Sequence, residues 1–182
     1  MNRAQKIPSE AQEFIRQVLA CKEDFPKLAM IGQAMLETGW LKHKIGKYNL
    51  FGIKYMPSVH KRYLLQRTTE YFSPEELRRW SSDPKFPDRR VVSETAEKRG
   101  GRTKYVVIDY FADFETLDEA IADYLRIIKS PRYKSSFDAW LEHRDWRRFL
   151  RDIGPKYATA PNYAETAIRV AETVQREMHD AV

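Results

Sequence analysis

Apolar residues recur at helical spacing along most of the chain and give way in the middle to runs rich in Tyr, Thr and Val. Ala11, Phe14, Ile15, Val18 and Leu19 follow Ser9, with Gln12 three positions on, and predict a capped helix with one buried face. Leu28, Ile31, Met35 and Leu36 come after Asp24 and Pro26, the order of a cap and a first-turn proline. They predict a second helix to about Glu37, with Gly39 as its stop. Arg62 to Phe72 and Arg102 to Phe111 read as two strands that pair. Between them Ser73-Pro74-Glu75-Glu76 opens a short helix to about Trp80, after which Pro84, Pro87, Gly100 and Gly101 break regularity. Thr116 and Glu119 form a capping box before the stripe Leu117, Ala120, Ile121, Tyr124, Leu125 and Ile128. Residues 136 to 153 hold Trp140, Leu141, Trp146, Phe149 and Leu150 among many charges, and Gly154 with Pro155 ends that region. Asn162 with Glu165 opens a last helix whose apolar face is Ala164, Ala167, Ile168, Ala171, Val174 and Met178.

This pattern predicts an α+β fold, mainly α, in which a helical domain carries a small β-hairpin lobe. One domain over residues 1–182 is expected, with the helical lobe in 8–60 and 112–180 and the β-lobe, including an insertion, in 61–111. There is no internal repeat and no low-complexity linker. The single cysteine, Cys21, cannot form an intrachain disulfide, and it has no nearby histidine to make it a nucleophile. His43, His60, His143 and His179 are scattered, without the spacing of a zinc site, so neither a metal nor an organic cofactor is expected.

The formal net charge of +6, from 32 Lys and Arg against 26 Asp and Glu, favours a polyanionic partner. Nucleic acid is disfavoured, because neither helix-turn-helix nor zinc-finger spacing accompanies the charge. No apolar run approaches the roughly 20 residues that span a bilayer. The opening Met1-Asn2-Arg3-Ala4-Gln5-Lys6 leads into an amphipathic helix and not into a signal-type apolar core.

Candidate chemistry centres on Glu37, within Ala34-Met35-Leu36-Glu37-Thr38-Gly39-Trp40. A carboxyl among apolar neighbours, at the negative end of a helix dipole, is held toward its protonated form and can act as a general acid near neutral pH. Cleaving a glycosidic bond requires such a donor, because the departing sugar oxygen leaves poorly until it is protonated. Taken alone, Glu37 also fits a helix-end carboxylate facing water, and Glu70 an exposed strand residue.

Four segments in order resemble glycoside hydrolase family 73, the peptidoglycan-cleaving endo-β-N-acetylglucosaminidases that include flagellar muramidases, autolysins and some phage lysins. They are Gln33 to Trp40, Asn49-Leu50-Phe51-Gly52-Ile53-Lys54, Thr68-Thr69-Glu70-Tyr71, and Tyr157-Ala158-Thr159-Ala160-Pro161-Asn162-Tyr163. The resemblance spans roughly residues 10 to 178. It implies a lysozyme-like fold, Glu37 as the acid, Glu70 as a second acidic residue and Tyr157 as a tyrosine near the acid. Trp40, Tyr48, Asn49, Phe51, Tyr71 and Thr159 are the expected substrate-binding residues, although many such aromatics serve a core. The chain departs from the family pattern at Leu41, where Gly is usual, at Ala160, where Asp is usual, and in a longer stretch over 73–104.

The activity implied is bacteriolytic cleavage of the β-1,4 bond after N-acetylglucosamine in peptidoglycan glycan strands, by a monomer acting on the cell wall. With no leader visible, delivery through a phage pore, as for an endolysin, or through a secretion system is expected, and a truncated autolysin also fits. A lytic transglycosylase is the neighbouring alternative. A wall-binding or assembly module that keeps the fold without the activity is the non-enzymatic one.

Overall fold

The computed structural model describes residues 7–158, 160 and 162–178. In chain order the elements are α1 (Ser9–Ala20), α2 (Lys27–Thr38), β1 (Tyr63–Phe72), α3 (Pro74–Ser81), β2 (Arg90–Arg99), β3 (Arg102–Ala112), α4 (Leu117–Ile128), α5 (Lys134–His143), α6 (Trp146–Tyr157) and α7 (Tyr163–Glu177). They form the mainly helical α+β architecture that the pattern predicts. Two compact units are distinguished: residues up to Lys44 with those from Leu117 onward, and Ile45–Thr116.

In the helical unit, α2 is buried on nearly every side, through Ala29, Met30, Ile31, Gly32, Gln33, Ala34, Met35 and Thr38. A helix that is apolar all round belongs in a core. α1 turns Ala11, Phe14, Ile15 and Val18 inward, and α7 packs along α2 so closely that a Cβ on Gly32 would lie 2.5 Å from the Ala167 carbonyl oxygen. Gly32→Ala is therefore expected to destabilise the protein. Alanine's better helix propensity, worth about 1 kcal/mol, is outweighed by overpacking against backbone at about 1–3 kcal/mol, and a chemical denaturation midpoint would read the net loss.

Several helix ends differ from expectation. Ser9 is the first residue of α1 and makes no cap; instead the Gln12 amide donates to the Ile7 carbonyl at 2.8 Å. Pro26 is itself the residue before α2. The charged region after Pro131 is two helices, because Arg144 turns left-handed (φ 56°) and Asp145 then caps α6 by accepting from the N–H groups of Arg147 and Arg148. Gly154 and Pro155 do not end that helix. Pro155 forgoes the bond to the Arg151 carbonyl and crowds it, yet the helix continues past it, and Ala158 N–H reaches the Gly154 carbonyl at 3.0 Å. α6 therefore runs on to carry Tyr157.

In the second unit, β3 lies between β1 and β2, antiparallel to both. β1 pairs without interruption from Tyr63 opposite Ala112 to Phe72 opposite Thr103. β2 was not legible as a strand. It is an edge strand exposed along nearly all its length, so no apolar alternation marks it, and two register shifts break its pairing. The stretch from Ile45 to His60, expected with the helices, belongs to the sheet unit. Tyr55 N–H bonds the Tyr110 carbonyl at 3.1 Å, Ala112 N–H bonds the Ile53 carbonyl at 2.9 Å, and Lys54 forms a bridge with Phe111. α3 begins as expected, with Ser73 and Glu76 in a reciprocal capping box. The Arg102 guanidinium and then the Ser73 N–H hold the pKa of Glu76 down to about 2.

No helix among the described residues is long and apolar enough to cross a membrane. Among those residues, no group of three or more His, Cys, Asp or Glu side chains is placed to hold a metal ion.

Candidate active site

α2 ends in three successive left-handed residues, Gly39, Trp40 and Leu41, with φ of 56°, 63° and 67°. Glycine adopts this conformation freely, but Trp and Leu do so at a cost of roughly 1 kcal/mol each. Thr38 holds the turn: its hydroxyl donates to the Ala34 carbonyl at 2.6 Å and accepts from Leu41 N–H at 2.9 Å, while the Leu41 side chain is buried. The glycine usual at position 41 in the resembled family is the residue this backbone favours. Trp40 is half-buried.

Glu37 sits in the last turn of α2. The residue is open to solvent, yet its carboxyl lies among enough protein for desolvation to raise its pKa above the ordinary glutamate value. A hydrogen bond donated by the Tyr163 hydroxyl opposes that rise without cancelling it. Tyr157, the last residue of α6, stacks on Tyr163 with ring centroids 5.4 Å apart. Its phenol is pushed up by burial and then by the charge of Glu37. The structure thus brings Glu37 and Tyr157 into one neighbourhood, but the hydroxyl that bonds the carboxyl is that of Tyr163, for which no role was expected. Gln33 and Tyr124 were missed as well. Gln33 Nε2 donates to the Tyr163 oxygen at 3.2 Å, and the Tyr124 hydroxyl donates to Gln33 Oε1 at 2.8 Å. The signal for Gln33 was its place four residues before Glu37, which puts both on one helix face. Thr159 lies outside the described residues.

In the sheet unit, Glu70 stands on β1 opposite Tyr105. Its Oε1 accepts from Lys54 Nζ at 2.7 Å, and the same ammonium donates to Asp109 Oδ2 at 2.8 Å. Lys54 also lies 4.0 Å above the Phe111 ring. Asp109 is 2% exposed, and its Oδ1 accepts from Arg89 Nε at 2.7 Å and from Tyr110 N–H at 2.8 Å. Burial alone would raise the Asp109 pKa, but Lys54 and Arg89 outweigh it and hold the carboxylate below its ordinary value. Glu70 is therefore one end of a run of alternating charges, and neither Lys54 nor Asp109 was expected in it from the sequence.

The remaining expected residues of this unit differ in what they offer. Tyr71 donates to Glu97, which also accepts from Lys104 at 2.6 Å, and the Glu97 bond raises the phenol's pKa. Tyr48 and Phe51 are half-buried. The side chain of Asn49, expected to read substrate, is bonded to backbone. It is 1% exposed, its amide donates to the carbonyls of Ile53 and Ala112, and its Oδ1 accepts from Ile53 N–H, all at 2.9 Å. The side chain is a staple that ties residues 49–53 to the end of β3.

Residues 15–176 match the model of the glucosaminidase family, described as mannosyl-glycoprotein endo-beta-N-acetylglucosaminidase. A comparison with curated protein sequences gives no match. Among solved structures, a peptidoglycan hydrolase mutant from Sphingomonas sp. A1 is 24% identical with a TM-score of 0.55, over 97% of this chain and 97% of that one. The catalytic domain of the autolysin Auto from Listeria monocytogenes is 21% identical with a TM-score of 0.64, over 95% and 89%. A C-terminally truncated glycoside hydrolase domain of FlgJ from Salmonella typhimurium is 20% identical with a TM-score of 0.57, over 96% and 99%. At these identities the likeness is one of fold.

Proposed function

We propose, from the premise that the chain belongs to the glucosaminidase family of glycoside hydrolases, that it cleaves the β-1,4 bond after N-acetylglucosamine in peptidoglycan, as a monomer with Glu37 as general acid. The observation that carries this reading is the Glu37 carboxyl itself. Desolvation raises its pKa against the pull of a donated hydrogen bond, so the group holds a proton at a pH where an ordinary glutamate has lost it. Peptidoglycan as the substrate rests on solved structures of similar fold, which include a peptidoglycan hydrolase and an autolysin.

In the proposed reaction Glu37 donates its proton to the departing sugar oxygen as the bond to the anomeric carbon breaks. The anomeric centre then carries oxocarbenium character and needs a nucleophile on its other face. Glu70 is the proposed base for that step. Lys54 holds one of its carboxylate oxygens, which fixes the group as an acceptor and leaves the other oxygen to take a proton from water. Tyr163 meets the charge that appears on Glu37.

Digestion of purified peptidoglycan, with products reduced and identified by mass spectrometry, tests the reading. Muropeptides ending in reducible N-acetylglucosamine are expected. Anhydro-sugar ends would place the reaction with the lytic transglycosylases. Wall binding by folded protein with no product would point to a binding module.

A further inference from the structure

Gln33 has no exposed surface, and Tyr124, against which it sits, is 2% exposed. A buried primary amide between two phenols has to give its carbonyl to one and its N–H to the other. Here the directions are set along the whole run. Tyr124 donates to Gln33 Oε1 and Gln33 Nε2 donates to the Tyr163 oxygen, which leaves the Tyr163 proton for the Glu37 carboxyl that the phenol acts on. Each direction depends on the one before it. A phenol has one proton, so a Tyr163 oxygen that accepts from Gln33 keeps that proton for Glu37. Were the amide turned round, its carbonyl would draw the Tyr163 proton inward, and Glu37 would lose its donor.

This matters at the moment of proton transfer. Glu37 then becomes an anion in partly desolvated surroundings, and a donor already aimed at it stabilises that charge without reorganisation. The bond from Tyr163 is stronger to the carboxylate than to the acid, so it acts in the transition state more than in the ground state. We propose that Gln33 and Tyr124 are positioning residues that fix the Tyr163 hydroxyl as a donor to Glu37 and so govern how readily the acid releases its proton. The proposal rests on the reading of Glu37 as the acid. The phenols coupled to Glu37 are Tyr163 from α7 and Tyr157 from α6, and the turn that follows Glu37 carries Lys42, His43 and Lys44. Both phenols are pushed above the ordinary tyrosine value, first by burial, so they stay neutral over the working pH range and their hydrogen bonds, not their charges, act on Glu37.

Steady-state kinetics against pH test this with Gln33→Met, Tyr124→Phe, Tyr163→Phe and the double variant Gln33→Met with Tyr163→Phe. Gln33→Met is expected to lower kcat by about tenfold with KM nearly unchanged. It should also move the alkaline limb of the profile upward by about one unit, because a lost donor disfavours the carboxylate. Tyr124→Phe should move the limb the same way by less. The double variant should be no worse than Tyr163→Phe alone, since Gln33 acts only through that hydroxyl. A limb that stays in place in Gln33→Met, or losses that multiply in the double variant, would overturn the proposal. Tyr124→Phe removes a single oxygen and decides the question in the same way if Gln33→Met does not fold. Glu37→Gln with full activity would instead remove the acid assignment on which the proposal rests.

Discussion

Glu37→Gln is expected to lower kcat on peptidoglycan by about 10²–10⁴-fold with KM close to wild type. Glutamine keeps the size of the side chain and can accept from Tyr163, so substrate binding and the local packing survive while the transferable proton is gone. The same variant is expected to gain stability at neutral pH, and the sign follows from the direction of the shift. The folded-state pKa of Glu37 lies above its ordinary value of 4.5, so the folded protein favours the protonated carboxyl. The stabilisation this provides is complete below the unfolded pKa and is lost as pH rises through the folded one. Thermal melts of wild type and variant should therefore agree near pH 3 and separate as the pH climbs toward 7, with the variant the more stable. A carboxylate kept where it is poorly hydrated, at a cost in stability, is characteristic of a group held there for its chemistry.

Glu70→Gln is the second large effect expected, a fall in kcat of about 10²-fold or more with the fold intact. The fold survives because Lys54 keeps its bond to Asp109, which Arg89 also satisfies, so no buried charge is left alone. Direct observation of the first-formed anomer by proton NMR completes the test. A base acting on water inverts the anomeric centre, so a β-linked substrate should release the α-anomer first. Retention together with near wild-type activity of Glu70→Gln would remove Glu70 from the chemistry and assign the nucleophile to the substrate's own acetamide, a pathway that needs no second carboxylate.

The helices with clear apolar stripes, such as α4 and α7, were legible in the sequence because burial on one face writes a period of 3.6. The strands β1 and β3 were legible through composition, since they hold the β-branched and aromatic residues of the sheet. β2 was not, because an edge strand exposed on both faces carries no apolar pattern. The continuation of α6 through Pro155 was hidden by reading proline as a stop when it occupied the last turn.

At the candidate site, Glu37 was legible from its apolar neighbours and the glycine behind it. Its hydrogen-bond partner was not, because Tyr163 lies 130 positions from Gln33 and only packing of α7 on α2 joins them. The structural bonds of Asn49 were equally hidden, since its buried amide ties together backbone from residue 53 and from residue 112, which is remote in sequence. Lys54 shows how a charged partner escapes a reading made one motif at a time, since its two carboxylates come from different strands.

Catalysis as proposed turns on a Glu37 carboxyl that desolvation holds protonated beyond the range of an ordinary glutamate, against the pull of Tyr163. Titration of that carboxyl by carbon-detected NMR in the folded, substrate-free protein tests this most directly, with Glu37→Gln used to assign the resonance. The expected result is a midpoint above 4.5 that rises further in Tyr163→Phe. A midpoint at or below that value in the wild type, unmoved by the loss of the hydroxyl, would contradict it.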